Sequence, residues 1–494
     1  MSVAQDLIDL SKLRLLRLLA LTATIVGVGV KCFIDKLFVL DPDIWWHLSV
    51  GDWIVQHRSF PHTGIFSRTA ADHVWRAYSW GYEVLLSCAY DWFGIIGIGV
   101  FGTLLTIAVA MVIFCMLLRL SQQFWLAWVL SVIAYCAFLF NIAPRPVFFT
   151  ATLFITSLTL LLEAQRTASV RSLYGLPLVF LIWSNCHIQF IYGMAAVGLF
   201  VGVNLLQRIT IALKLYPAVL REPVLPLSPL IAVFAACLLT TGLGPYSFQL
   251  YRVVFEYAGS KFTYAKLIEF QHLSFQIPSQ YIELLLAITG FFALGWQKKI
   301  DPFKLSLLIL ATVFAFRTWR DAWFVCLVSA AILADTRPLR EIRVRNLSFF
   351  DWASVAVVSS LLLLLSARST DFSTRGLDHA TSGEFPVDAV NFLRHNPIGG
   401  PLYNNFDWGG FLIFYMPQYP VSIDGRTDLY GDAIDEQYYS TQEAEPSYVN
   451  DSALNEAGIV LLKKNLPIAT QLQLDHRFRL VYRDDLAVVF ARNL

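Results

Sequence analysis

Two carboxylates, two indoles and an imidazole stand together in Asp41-Pro42-Asp43-Ile44-Trp45-Trp46-His47. Carboxylates act as general bases or as ligands for hard cations. Proline disfavours a helical conformation at the preceding residue and fixes its own φ, so the Asp-Pro-Asp step reads as extended. Residues i and i+2 of an extended chain point the same way. Asp41 and Asp43 then converge on one substrate hydroxyl or one divalent cation, Mg or Mn, with His47 as a third candidate ligand. A structural use stands beside this one: Asp43 capping an interfacial helix, with Trp45 and Trp46 in an aromatic belt.

A second unusual string is Tyr403-Asn404-Asn405-Phe406-Asp407-Trp408-Gly409-Gly410, followed by Val421-Ser422-Ile423-Asp424-Gly425-Arg426-Thr427-Asp428. Here too a structural use competes. Asp407 can cap a helix, the paired glycines permit close packing, and Asp-Gly is a common turn.

The elements that must position these residues follow from composition. The chain has 494 residues, 56% hydrophobic and 15% charged, against roughly 25% charged in a soluble domain. A net charge of +1 gives no electrostatic case for nucleic acid. The seven cysteines fall in or near apolar stretches and none in the C-terminal segment, which is not a disulfide framework. A spanning helix needs about 20 apolar residues. Candidates lie near 15–33, 94–118, 123–140, 147–163, 173–186, 188–207, 227–243, 281–296, 303–316, 319–334 and 349–366. That makes about eleven transmembrane helices. The first follows Lys12, Arg14 and Arg17 but precedes no small-residue cleavage site, so it reads as an anchor.

With the N-terminus in the cytoplasm, every inner connection is basic, from Arg119 to the Arg337–Arg345 group. Residues 34–92 then form a large first outer loop. Residues 367–494, polar and turn-rich, form a small extracytoplasmic α/β domain beyond the 1–366 membrane domain. Within it Pro386–His395 reads as a helix and Trp408–Tyr415 as a helix or buried strand. Pro401–Tyr403, Val421–Ile423, Gly458–Leu462, Arg479–Tyr482 and Ala487–Phe490 read as strands.

This topology puts the unusual polar residues on one side. Asp41, Asp43 and His47 are outside, as are Asn141 and Arg145, Asn185 and His187, and Arg317, Arg320 and Asp321. Singly, each has an ordinary explanation: snorkelling, a local Arg–Asp pair, or a hydrogen bond between helices worth about 1 kcal/mol. Ionisable groups at membrane depth usually line a cavity or pair, and a shared outward-facing site accounts for all of them together. Arginines hold phosphate by bidentate hydrogen bonds, and a neutral histidine can donate to a phosphoryl oxygen. Arg145, His187, Arg317 and Arg320 are therefore candidate donor-phosphate ligands, and a lipid-linked phosphate sugar suits the set.

At these strings the chain resembles the GT-C superfamily of multi-span glycosyltransferases. The likeness covers the many spans, the first outer loop with its acids, and the C-terminal outer domain. Phe406-Asp407-Trp408-Gly409 is similar to part of the oligosaccharyltransferase signature Trp-Trp-Asp-Tyr-Gly. The Pro-Asp-x-Trp-Trp-His-Leu start resembles that of a bacterial group of such proteins, and protein mannosyltransferases share the plan. The resemblance implies acceptor binding by Asp407, Trp408, Gly409 and Arg426, and contact of Asp41 and Asp43 with a cation or the acceptor. Asn405 departs from the signature's leading Trp, and the second acidic pair is replaced by Asn141 and Arg145, which leaves the acceptor open between hydroxyl and amide.

The sequence therefore predicts a polytopic α-helical membrane protein, GT-C-like, with a small C-terminal α/β domain. It would move a sugar from a polyprenyl-phosphate-linked donor to a protein, glycan or lipid acceptor at the outer face of a bacterial inner membrane. Two other classes compete. A lipid-linked sugar carrier or flippase would show matching Gly- or Pro-interrupted spans in two halves, and no such symmetry is visible. A non-catalytic membrane subunit would bind a partner through its outer domain and turn over no lipid-linked sugar.

Overall fold

A computed structural model describes residues 2–139, 143–336 and 347–493, with backbone alone for 2–10, 138 and 139. Asn141 and the expected inner-loop residues Arg337, Arg340, Arg343 and Arg345 lie outside the described residues.

Each apolar stretch carries a helix: Ser2–Asp35, Trp80–Ser121, Phe124–Ala134, Val147–Thr167, Leu176–Cys186, Phe190–Ala212, Leu227–Thr241, Pro278–Gly295, Pro302–Arg317, Ala322–Thr336 and Phe349–Ser369. Among the described residues, length and composition qualify five stretches to cross a membrane: Ser11–Leu40, Trp80–Ser121, Val147–Thr167, Phe190–Ala212 and Phe349–Ser369. They do not by themselves support eleven crossings. Local chemistry starts several helices. Pro302 opens its helix while the Asp301 carboxylate accepts from Phe303 N and Lys304 N at 3.0 and 3.3 Å. Ser348 and Asp351 form a reciprocal capping box for Phe349–Ser369.

The chain divides into two compact units that do not follow a single cut near residue 366. Unit 1 comprises Met1–Ile34, Gly102–Phe248 and Ile268–Thr370. Unit 2 comprises Asp35–Phe101, Gln249–Leu267 and Asp371–Leu494. The first loop and a mid-chain segment thus belong with the C-terminal domain.

In unit 1 the Ala322–Thr336 helix is buried along nearly its whole length and packs on Pro278–Gly295, Pro302–Arg317 and Val147–Thr167. Phe154 meets Trp323 and Phe324 edge-on, both at 5.1 Å between ring centroids. Such contacts are worth about 0.5–1.5 kcal/mol beyond area burial. Two buried carboxylates here are paired, Asp335 with Lys304 and Asp351 with the exposed Arg14, whereas the buried Glu283 carboxyl has no hydrogen-bond partner.

Unit 2 holds a four-stranded sheet in the order β1-β2-β4-β3, built from β1 (Leu402–Asn404), β2 (Ile459–Lys463), β3 (Phe478–Arg483) and β4 (Ala487–Arg492). β1 and β2 are parallel; β2 and β3 each run antiparallel to β4, with an irregular step at Leu480/Tyr482. Four of the five expected strands are present. Val421–Ile423 is corrected: it forms a single bridge, Ser67 to Val421, rather than a strand. The Asp41-Pro42-Asp43 reading is also corrected. Asp41 alone is extended (φ −73°, ψ 123°), and Pro42 and Asp43 open a helix, Pro42–His57. Proline is favoured at the first helical position because its missing N–H would be unsatisfied there anyway. Trp45 of this helix is fully buried among Phe385, Phe411, Phe414 and Tyr415, with centroids 5.3–6.1 Å away.

Candidate functional site

In unit 2 the two sequence strings meet. Asp41 is the N-cap of Pro42–His57, and its Oδ1 accepts from Asp43 N at 2.9 Å. Its carboxylate is therefore a cap, and the convergence expected from i, i+2 geometry does not occur. Asp43, one step into the helix and half-buried, accepts from Trp46 Nε1 at 3.0 Å through Oδ1. That same oxygen lies so close to Gly425 that a Cβ there would come within 2.1 Å of it. Gly410 lies equally tight on the Pro42 carbonyl, where a Cβ would meet the oxygen at 2.5 Å, and Gly409 on the Ile423 carbonyl at 2.2 Å. Gly410 and Gly425 thus let the second string's backbone close on the first, and Gly409 lets the second string close on itself.

Around this junction the polar groups are interlocked. Arg426 has no exposed side-chain surface; it donates to Asp424 through Nε at 2.8 Å and Nη2 at 2.7 Å, and to Ile65 O at 3.0 Å. The same guanidinium lies 4.7 Å from the Trp75 ring centroid, a cation–π contact. Tyr430 donates to Asp424 at 2.7 Å. The Asp424 carboxylate beside Arg426 holds the guanidinium above its ordinary range, against the opposing effect of burial. Asp428 accepts from Trp75 Nε1 at 3.1 Å and from Tyr257 OH at 3.2 Å. Burial pushes its pKa up to about 6 despite these bonds and Arg426. His47 Nδ1 lies 3.0 Å from Glu83 Oε1, both buried.

The expected acceptor residues are placed differently. Trp408 is fully buried and donates to Glu384 O at 3.2 Å, so its ring offers no face to an acceptor. Asp407 is partly exposed and paired with Lys463 at 2.5 Å. Gly409 is a packing glycine, and Arg426 positions Asp424 rather than presenting a free donor. For a divalent cation, the donor set does not fit. Asp41 caps a helix, Asp43 holds Trp46, and His47 holds Glu83, and no group of three or more His, Cys, Asp or Glu suited to a metal occurs among the described residues.

In unit 1 two of the basic candidates, Arg145 and Arg320, meet another carboxylate. Glu269 receives Arg320 Nη1 at 3.0 Å and faces Arg145 Nη1 at 3.6 Å. Arg320 also lies 4.7 Å from the Phe270 ring centroid. Trp319 N donates to Gln271 O at 2.9 Å, which ties the Glu269 and Arg320 segments together. Partial loss of solvent would raise the Glu269 carboxyl, which is still 40% exposed, but the Arg320 and Arg145 guanidinium groups outweigh that and hold it below its ordinary range. Asp321 accepts from Thr318 Oγ1 at 2.7 Å and Gln189 Nε2 at 3.4 Å. His187 Nδ1 meets the Thr150 hydroxyl at 2.7 Å, and that hydroxyl accepts from Trp183 Nε1 at 2.9 Å. Burial, reinforced by Arg320, pushes His187 well below its ordinary pKa, so the imidazole is neutral. Arg317 closes the Pro302–Arg317 helix at the same turn as Arg320.

Sequence reasoning missed Glu269; Trp75 and Glu83 of the first outer loop and Asp428 of the second string were visible, but not the partners they hold. Glu269 carried one signal, as the one acid between Glu256 and Glu283.

No family model matches the chain, and no curated protein matches it. Solved structures resemble it, among them two of one protein. The crystal structure of ArnT from Cupriavidus metallidurans bound to undecaprenyl phosphate aligns with a TM-score of 0.45 at 14% identity, over 95% of this chain and 97% of that one. The same protein in the apo state aligns with a TM-score of 0.43 at 14% identity, with the same coverage. A likeness of this degree assigns no chemistry to this chain.

Proposed function

We propose that this chain is a membrane glycosyltransferase of GT-C type that takes its sugar from a polyprenyl-phosphate-linked donor. One observation carries the reading: the half-buried Asp43 carboxylate is held against Gly425 of the Asp424-Gly425-Arg426 turn, with Trp46 fixing its orientation. A carboxylate fixed by an indole N–H and a glycine backbone is a preorganised base. Asp43 is favoured over Asp41 because the Asp41 carboxylate caps the helix.

In this reading Asp43 takes the proton of the acceptor hydroxyl or amide as its oxygen or nitrogen bonds to the anomeric carbon. The bond from that carbon to the phosphate oxygen breaks, and the polyprenyl phosphate leaves with the electron pair. Arg145, Arg320 and Arg317 stabilise the charge that grows on the departing phosphate. Neutral His187 contributes a hydrogen bond, not a charge. Asp407, Trp408 and Gly409 support the acceptor side by shaping the junction, and Arg426 by fixing Asp424. No step is routed through a cation.

The test is a turnover assay on purified protein with a radiolabelled polyprenyl-phosphate sugar and membrane-derived acceptors. The Asp41→Ala/Asp43→Ala double variant is expected to lose at least about 10²-fold in rate, the usual contribution of a positioned base. Full activity in that variant would sink the base assignment. Lipid binding without turnover in the native chain would favour a carrier, and absence of both would favour a non-catalytic subunit.

A further inference from the structure

Glu269 has a position that the transfer chemistry does not explain. Its two carboxylate oxygens face two different guanidinium groups, Oε1 toward Arg320 at 3.0 Å and Oε2 toward Arg145 at 3.6 Å. Two arginines presented to two oxygens is the arrangement that recognises a phosphoryl group. The cluster is also open to water: the side chains of Glu269, Arg145 and Arg320 are 40%, 29% and 26% exposed. Structural ion pairs at depth, such as Lys304–Asp335 at 6% and 9%, are closed off by comparison.

We propose that Glu269 is a built-in counter-ion that occupies the phosphate position on Arg145 and Arg320 and is displaced by the phosphoryl group of the substrate. The proposal rests on the phosphate-binding role given above to these two arginines. It adds a function for Glu269 in release. A sugar-linked phosphodiester carries one negative charge, whereas the free monoester left after transfer carries about 1.5 to 2 near neutral pH. Repulsion scales with the product of the charges. A returning Glu269 therefore opposes the product more than the donor and speeds its departure. Glu269 acts here as a positioning residue, through the arginines.

The experiment titrates the purified full chain in detergent with inorganic phosphate, and separately with polyprenyl monophosphate, reading thermal shift; polyprenol serves as the uncharged control. Glu269→Gln is expected to bind the monoester roughly three- to tenfold tighter, the scale of one partly exposed charge interaction. Its turnover should fall while its KM for donor also falls, since release is slowed. Glu269→Asp, which keeps the charge, should stay close to the native affinity and report whether the site folds. Tightening with both phosphates supports recognition of the phosphoryl group alone, and tightening with the lipid alone supports a contribution from the tail; either sustains the proposal. Weaker or unchanged binding in Glu269→Gln, with the native chain still binding, overturns it while leaving the phosphate-binding reading intact. If the native chain binds neither phosphate, both fall together.

Discussion

The acids of unit 2 and the cations of unit 1 are held by opposite means. Asp43 and Asp424 are fixed by backbone closeness: glycines at 409, 410 and 425 leave no room for a Cβ, and each acid also accepts a side-chain donor. Arg145 and Arg320 sit on a partly exposed carboxylate through long, flexible stems. Rigid placement suits a group that must meet one proton at one point. Adjustable placement suits groups that must follow a phosphate as it gains charge and leaves.

That contrast can be broken at several points. The largest effect is expected from Arg145→Gln combined with Arg320→Gln, which should lower turnover by about 10²–10³-fold, the range for losing charge stabilisation at a leaving group. An unaltered rate in steady-state kinetics would remove the arginines from the chemistry. Next come two glycine substitutions that separate placement from packing. Gly425→Ala meets the far end of a side chain, the Asp43 carboxylate, so activity should drop about tenfold with the melting temperature nearly kept. Gly410→Ala meets the Pro42 backbone oxygen and should cost about 1–3 kcal/mol of stability in chemical denaturation. Equal stability losses in the two variants would show that Gly425 serves packing alone.

A smaller effect concerns pH. Asp435 is buried, its Oδ1 has no hydrogen-bond partner, and burial with the nearby Asp432, Asp424 and Asp428 pushes its pKa up to about 8. A carboxyl whose folded pKa is raised binds its proton more tightly in the fold. Stability is then greatest below the unfolded value near 4 and falls as pH rises toward 8. Asp435→Asn should flatten that slope and raise the melting temperature at pH 8, by roughly 1–3 kcal/mol of stability. A melting profile with unchanged slope would refute the assignment. The smallest expected effect is that of chelation. Since Asp41, Asp43 and His47 each hold another partner, EDTA should leave turnover unchanged; a loss restored by Mg or Mn would return a cation to the site.

Legibility in the sequence followed locality. The helices on apolar stretches were readable because twenty-odd apolar residues leave the backbone few other choices. The Pro42–His57 helix was readable only as the structural alternative, with Asp43 in place of Asp41 as its cap, because the same proline that restricts Asp41 also starts a helix. Thr427–Gln442 was missed because it is polar and breaks at Gly431, φ 72°, so no apolar period runs through it. The interleaving of 35–101 and 249–267 with 371–494 depends on contacts between residues hundreds of positions apart, as between Tyr257 and Asp428. For the site, the basic candidates Arg145 and Arg320 were visible as charges in outer connections, whereas Glu269 is one acid in a segment with no motif. The second string was visible as a string, but its glycines proved to carry the geometry and its Trp408 the packing.

The borders of the C-terminal sheet bear on how it meets other polypeptides. β3 forms one border, with exposed Arg479 and Arg483 and a broken register between Leu480 and Tyr482, and β1 at the other end is only three residues long. Charge, irregularity and brevity are the ways a sheet avoids templating a foreign strand. An unfolded polypeptide would therefore find a poor ladder to extend along this sheet.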